Sequence, residues 1–292
     1  MVSHPIRNLL KGLIDYAGLF PPARLEMALA AQEYHRQRHS ENGWVLDRFV
    51  VPVGRLGELE AARANVDPGE RWPLSVLVGF GELAEERALL DKAERGGLFT
   101  VGAVEGKVAS PAEVKLLVAA FPGRQVYCEL PLAGDLNPWL DALLAAGGRA
   151  KVRTGGIEAA AFPSIAELAR FLFAVAAIKL PFKATAGLHH PLRGDYRLTY
   201  EKDSPSGVMH GFLNVFLAAA MLRSGEIDEA LARELLAETR ESALDWSAHG
   251  VSWGRARLSA EAIAEARKFF ALSYGSCSVS EPLADLRRLH LL

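Results

Sequence analysis

Cysteine is nearly absent: Cys128 and Cys277 are the only two in 292 residues, and they stand in neither a CxxC nor a zinc-knuckle spacing. That excludes a disulfide framework, and two reduced thiols fit a reducing cytosol. An excess of one charge is also missing, since 33 Lys and Arg face 35 Asp and Glu. Without a broad positive field, neither nucleic acid nor an anionic membrane is held nonspecifically, and any anion recognition must be local. No uninterrupted apolar run approaches the roughly 20 residues of a membrane span. Residues 1–12 lack the long apolar core of a signal peptide. The expectation is a cytoplasmic protein with no nucleic-acid or membrane partner. The sequence leaves a homo-oligomer open.

Half of the residues are hydrophobic and 23% are charged, the balance of a globular chain able to bury a sizeable core. Apolar runs of strand length fall at 13–16, 48–52, 74–80, 99–105, 125–130, 150–154 and 181–186. Between them lie stretches of helical period at 25–37, 56–65, 83–95, 111–121, 138–146 and 164–178. Such alternation is the signature of repeated βαβ units around a parallel sheet. The α/β class follows, as a (β/α)₈ TIM-type barrel forming a single domain over residues 1–292, a length one barrel can reach with insertions. The eighth strand is expected at 244–253, followed by a helix at 260–272 and a short C-terminal helical extension after Glu281; the alternative places it at 270–276. Residues 191–208, polar and long for a βα connection, are expected to form a lid. Gly275 is expected to cap the helix before it.

A parallel barrel carries its chemistry at the C-terminal ends of its strands. Alternation along Ala150-Lys-Val-Arg-Thr154 puts Lys151 and Arg153 on one face, and along Phe182-Lys-Ala-Thr185 it puts Lys183 and Thr185 together. Three cations focused on one interior require carboxylates or an anionic ligand. Asp15, Glu105 and Glu129, at the ends of other strands, are the candidate carboxylates. Thr154-Gly155-Gly156 and Thr185-Ala-Gly187 are turns whose backbone N–H groups can cradle an anion.

The run Lys151-Val-Arg-Thr-Gly-Gly156, a helix, then Phe182-Lys-Ala-Thr-Ala-Gly187 resembles the paired lysine strands of the 2-deoxyribose-5-phosphate aldolase family of class I aldolases. The resemblance covers about 40 residues and implies that Lys151 forms a Schiff base with a substrate carbonyl while Lys183 tunes it. It departs from that family at Arg153, where an uncharged residue is usual, and at Gly187-Leu-His-His190. The chain as a whole resembles an uncharacterised bacterial barrel family sharing Asp15-Tyr-Ala-Gly-Leu-Phe-Pro-Pro22, both lysine motifs, Met209-His-Gly-Phe-Leu-Asn214 and Gly275-Ser-Cys-Ser278.

The leading expectation is a lyase or aldolase-like enzyme acting on a small anionic carbonyl compound, a phosphorylated sugar or a keto acid, without a cofactor. Lys151, Lys183, Glu129, Asp15 and His190 are the catalytic candidates, with Glu105 as proton shuttle. Arg153, Thr154, Gly155, Gly156, Thr185, Gly187, His210 and Asn214 are the candidates for binding substrate. Two alternatives stand beside it. One is a metal-dependent hydrolase or lyase holding Zn or Mn with His189, His190, His210 and Glu129. The other is a non-catalytic anion-binding protein.

Overall fold

The computed structural model describes residues 4–67 and 69–292; Met1–Ser3, the start of the 1–12 stretch, lie outside them. Helix α1 (His4–Leu10) leads into strand β1 (Ile14–Tyr16), and six βα units follow with the predicted alternation. Their strands are β2 (Leu46–Pro52), β3 (Trp72–Leu77), β4 (Phe99–Lys107), β5 (Val126–Glu129), β6 (Arg149–Arg153) and β7 (Phe182–Thr185). The helix preceding each of these strands is, in order, α2 (Met27–Arg38), α3 (Leu56–Ala64), α4 (Leu83–Arg95), α5 (Pro111–Ala120), α6 (Asn137–Ala146) and α7 (Ile165–Ala177). Local chemistry sets several boundaries. Ser110 accepts from the Glu113 N–H, with Pro111 at the first helical position. Ser164 and Glu167 form a reciprocal capping box at the start of α7.

The chain then leaves the barrel. An antiparallel hairpin, β8 (Gly194–Arg197) and β9 (Ser206–Met209), occupies the segment expected to be a lid. Helices α8 (Phe212–Ser224) and α9 (Glu229–Ala237) follow. Every residue of α8 from Phe212 to Leu222 is buried, because the helix lies between the barrel and other helices. Next come β10 (Leu244–Trp246), β11 (Gly250–Trp253) and β12 (Ala256–Ser259), then α10 (Ala260–Phe269). The eighth barrel strand is β13 (Ala271–Ser276), and α11 (Ser280–Arg288) closes the described chain. Strand order around the closed barrel is β1-β13-β7-β6-β5-β4-β3-β2.

Two expectations are corrected. The segment 244–253 is not a barrel strand: Ser247 N–H bonds back to Gly250 O, folding it into the hairpin β10–β11, which pairs with β12 in a separate antiparallel sheet. The barrel closes through the 270–276 alternative, pairing in parallel with β7 and β1. Gly275 therefore lies in a strand rather than capping a helix. Small residues serve β13 because its inward side meets the crowded interior, where Ser273 is buried, while Tyr274 packs outward on Phe212 and Phe216.

Averaged over its length, Ala159–Ala177 is long and apolar enough to cross a membrane, 19 residues with a mean hydropathy of 1.5. It comprises a 3₁₀ turn and α7; Glu167 and Arg170 interrupt the apolar run, and Leu168, Phe171, Leu172 and Val175 are buried.

Buried polar groups fasten the excursion between β7 and β13. Asn214 accepts from the Arg193 N–H at 2.9 Å and donates to Leu235 O at 2.8 Å and Glu238 O at 2.9 Å. His210 donates through Nε2 to Pro163 O at 2.8 Å, leaving Nδ1 to accept from Arg193 at 3.2 Å, so the ring is held neutral. Burial lowers its pKa from 6.5 to about 4. The unfolded chain takes up this proton first, so stability drains away as pH falls from 6.5 toward 4. Urea unfolding of wild type is expected to show about 2–3 kcal/mol lost on this account between pH 7 and 4.5. The His210→Gln variant, though less stable at pH 7, lacks that part of the slope.

Candidate functional site

Parallel register sets the chemistry at one level of the barrel. Glu129 on β5 is paired with Lys151 on β6, which is paired with Lys183 on β7. With Val152 and Ala184 turned toward the helices and fully buried there, both lysines enter the interior. Lys183 Nζ lies 2.6 Å from Asp15 Oδ2 and 2.5 Å from Glu105 Oε1. Lys151 Nζ lies 2.8 Å from Glu105 Oε2 and 3.0 Å from Glu129 Oε2. Arg153 Nε completes the series, 2.9 Å from Glu129 Oε1. Charges thus alternate from Asp15 through Lys183, Glu105, Lys151 and Glu129 to Arg153, and the three acids cancel the three cations.

Hydrogen bonds take up further acceptor positions on Glu105 and Asp15. Ser75 Oγ on β3 donates to Glu105 Oε1 at 2.5 Å, Ser273 Oγ on β13 donates to Asp15 Oδ2 at 2.7 Å, and the Arg48 N–H on β2 donates to Asp15 Oδ1 at 3.2 Å. All eight barrel strands contribute a group. Burial by itself would neutralise Lys183, yet Asp15 and Glu105 outweigh it and hold the ammonium well above the ordinary lysine range. Burial likewise opposes ionisation of Glu105 and Glu129. Lys151 and Lys183 overcome it for Glu105, Lys151 and Arg153 for Glu129, holding both below the usual carboxylate range.

Above the network opens a cavity of about 500 Å³ whose lining includes Glu105, Glu129, Lys151, Arg153 and Lys183. Gly156, Thr185, His189, Gly275 and Cys277 also line it, and Lys107 and Glu158 add charge. Lys183 is 1% exposed and belongs to the floor; Lys151, at 4%, has its amine between two carboxylates; half of the Arg153 side chain is exposed. The cavity brings together an amine, carboxylates and a half-exposed guanidinium. Asp15 contacts it only through Lys183.

Other predicted residues are placed elsewhere. His190 Nδ1 lies 2.6 Å from Asp285 Oδ2 and its ring stacks on Tyr196, outside the cavity lining; its neighbour His189 is the histidine that lines the cavity, with Nδ1 3.2 Å from Glu281 Oε2. His210 and Asn214 are committed to backbone, as described above. Among the described residues, no three His, Cys, Asp or Glu side chains converge to hold a metal ion. The glycine turns interlock rather than open. Thr154 Oγ1 donates to Ala186 O at 2.5 Å, and Gly155 and Gly187 lie against each other beneath Phe162. At Gly187 φ is +75°, and a Cβ there would stand 2.7 Å from Gly155 Cα.

Sequence reasoning missed Ser75 and Ser273. A serine within the apolar run Leu74-Ser-Val76 was a legible signal for the first; the second lay in a strand not chosen. The apolar wall of the cavity, which includes Val50, Leu77 and Phe20, was also missed.

What fold and geometry define is a (β/α)₈ barrel with an alternating lysine–carboxylate network at its C-terminal mouth. Comparison with protein-family models finds no match, and comparison with curated protein sequences finds none either.

Removing one member of this network leaves buried charge uncompensated. Lys183→Met is expected to cost about 3–5 kcal/mol in urea unfolding at pH 7. The pH dependence carries the sign. Glu105, its pKa lowered from 4.5, contributes stability that is present above that value and lost as pH falls through the folded value. Lys183, its pKa raised from 10.5, contributes stability that is present below 10.5 and lost as pH rises through the folded value. Wild type therefore weakens at both extremes, and in Lys183→Met the alkaline loss due to this lysine disappears.

Proposed function

We propose that the protein is an aldolase-like lyase that takes a small anionic carbonyl compound onto Lys151 as an imine. The observation that carries this reading is the Lys151 amine lining the cavity between Glu105 and Glu129. An imine-forming lysine needs a base to unmask its lone pair and an acid to expel water, and a carboxylate at 3.0 Å serves both. Lys151 passes one ammonium proton to Glu129, and its lone pair forms the C–N bond while the carbonyl π pair moves onto oxygen. That oxygen takes the proton back from Glu129. The nitrogen then gives a second proton to Glu129, which delivers it to the departing hydroxyl, and water leaves.

The product is a protonated imine with the same single positive charge as the ammonium. Glu105 and Glu129 therefore attract the intermediate as they attracted the free lysine, and no buried charge is created or lost. Lys183 tunes the site indirectly: its own ammonium keeps Glu105 ionised. Arg153, half exposed at the cavity, is the group for the anionic end of the substrate.

Incubation with pyruvate or dihydroxyacetone phosphate and sodium cyanoborohydride is expected to leave a reduced adduct on the peptide containing Lys151, read by mass spectrometry. Lys151→Ala gives none. Glu129→Gln gives the same adduct about 10²–10⁴-fold more slowly. Adduct confined to other lysines, or ligand binding with no adduct anywhere, overturns the imine and leaves an anion-binding cavity.

A further inference from the structure

The two sides of the cavity differ in kind. Every lining residue contributed by β1, β2, β3 and the turns after β1 and β3 is apolar: Ala17, Phe20, Pro21, Val50, Leu77 and Val78. Those contributed by β4, β5 and β6 are Glu105, Gly106, Lys107, Glu129, Lys151 and Arg153, without one apolar side chain among them. A volume of about 500 Å³ suits a ligand well above the size of a three-carbon unit.

A polyol would set its hydroxyls against a wall with no side-chain donor or acceptor, and each hydroxyl stripped of water without a partner costs free energy. The places where a barrel ordinarily takes phosphate, the turn after β7 and the helix start after the eighth strand, are also taken up by protein groups. Gly187 in the turn after β7 packs against Gly155 and Phe162, while Gly156 faces the cavity. The first turn of α11 carries Glu281, which faces His189 Nδ1 and accepts from the Tyr200 hydroxyl at 3.1 Å. A phosphate arriving there would meet a carboxylate. Lys107 and Arg153 remain, and of the two only Arg153 carries a planar guanidinium matched to a planar carboxylate.

We infer that the substrate is a 2-oxo acid bearing an apolar chain, with its carboxylate toward Arg153, its carbonyl at Lys151 and its chain against the β1–β3 wall. This rests on reading the cavity as the site of an anionic carbonyl compound and narrows that class, separating it from sugar phosphates.

The test uses the whole protein and the series pyruvate, 2-oxobutyrate, 2-oxopentanoate and 2-oxohexanoate, with dihydroxyacetone phosphate for comparison. Binding is read by calorimetry without reductant, and trapping on Lys151 is read separately with cyanoborohydride. Affinity is expected to rise up to about fourfold per added methylene, the burial of one CH₂ expressed as a ratio of dissociation constants. The longest acid then binds well above dihydroxyacetone phosphate. Phe20→Ser flattens the series, and Val78→Ser, on the turn after β3 of the same wall, does the same should the first variant fail to fold. A flat series, or dihydroxyacetone phosphate binding as tightly as 2-oxohexanoate, overturns the substrate class even where Lys151 is trapped. Graded binding without an adduct supports the ligand class while removing the imine.

Discussion

Charge compensation inside the barrel is the constraint on which the structure depends. A lysine at the position of Lys183, 1% exposed, is tolerable only because two carboxylates reach its amine at hydrogen-bond distance. Those carboxylates come from β1 and β4, far apart in sequence, so the ammonium ties remote parts of the chain to one point. Glu105 then needs a second cation, which Lys151 supplies, and Glu129 links Lys151 to Arg153. Buried ion pairs are weak contributors to stability compared with apolar packing, but they are unforgiving of a missing partner. The network therefore acts as a specification of register. A strand shifted by one residue would turn its charged group toward the helices and strand another inside.

The same constraint gives the site its chemistry. A neutral set of alternating charges changes little when the Lys151 ammonium is replaced by an iminium of equal charge, whereas an isolated lysine in an apolar pocket would shed its proton. The arrangement differs from two lysines repelling across a gap: Glu105 stands between them and accepts from both. Lys183 acts on Lys151 through that shared carboxylate. The cavity above is divided, with charge on the β4–β6 side and apolar surface on the β1–β3 side.

Much of the fold was legible because βα units repeat a local pattern that needs no long-range information. Seven barrel strands announce themselves by apolar runs and helix-period stretches, and the caps at Ser110 and Ser164 mark their helices. The eighth was misplaced for a physical reason. Ala271-Leu-Ser-Tyr-Gly-Ser276 carries small and polar residues because it faces Asp15 and Thr185 inside a crowded barrel, whereas the β10–β11 segment has the hydrophobicity of a strand and spends it on a peripheral sheet. The interior of a barrel filled by charge does not look like a hydrophobic core.

From the sequence alone came the alternation that makes a barrel, and the inward direction of Lys151, Arg153 and Lys183, since side chains on a strand alternate with period two. Sequence also named Asp15, Glu105 and Glu129 as the acids near them. Only tertiary structure decided which acid meets which base, that His189 rather than His190 lines the cavity, that the glycine turns close on each other, and that one side of the cavity is apolar. These depend on strand order and on shear between β1, β13 and β7, where the chain returns after the long excursion of residues 186–270. Periodicity fixes the face a residue presents; only closure of the barrel fixes what stands opposite.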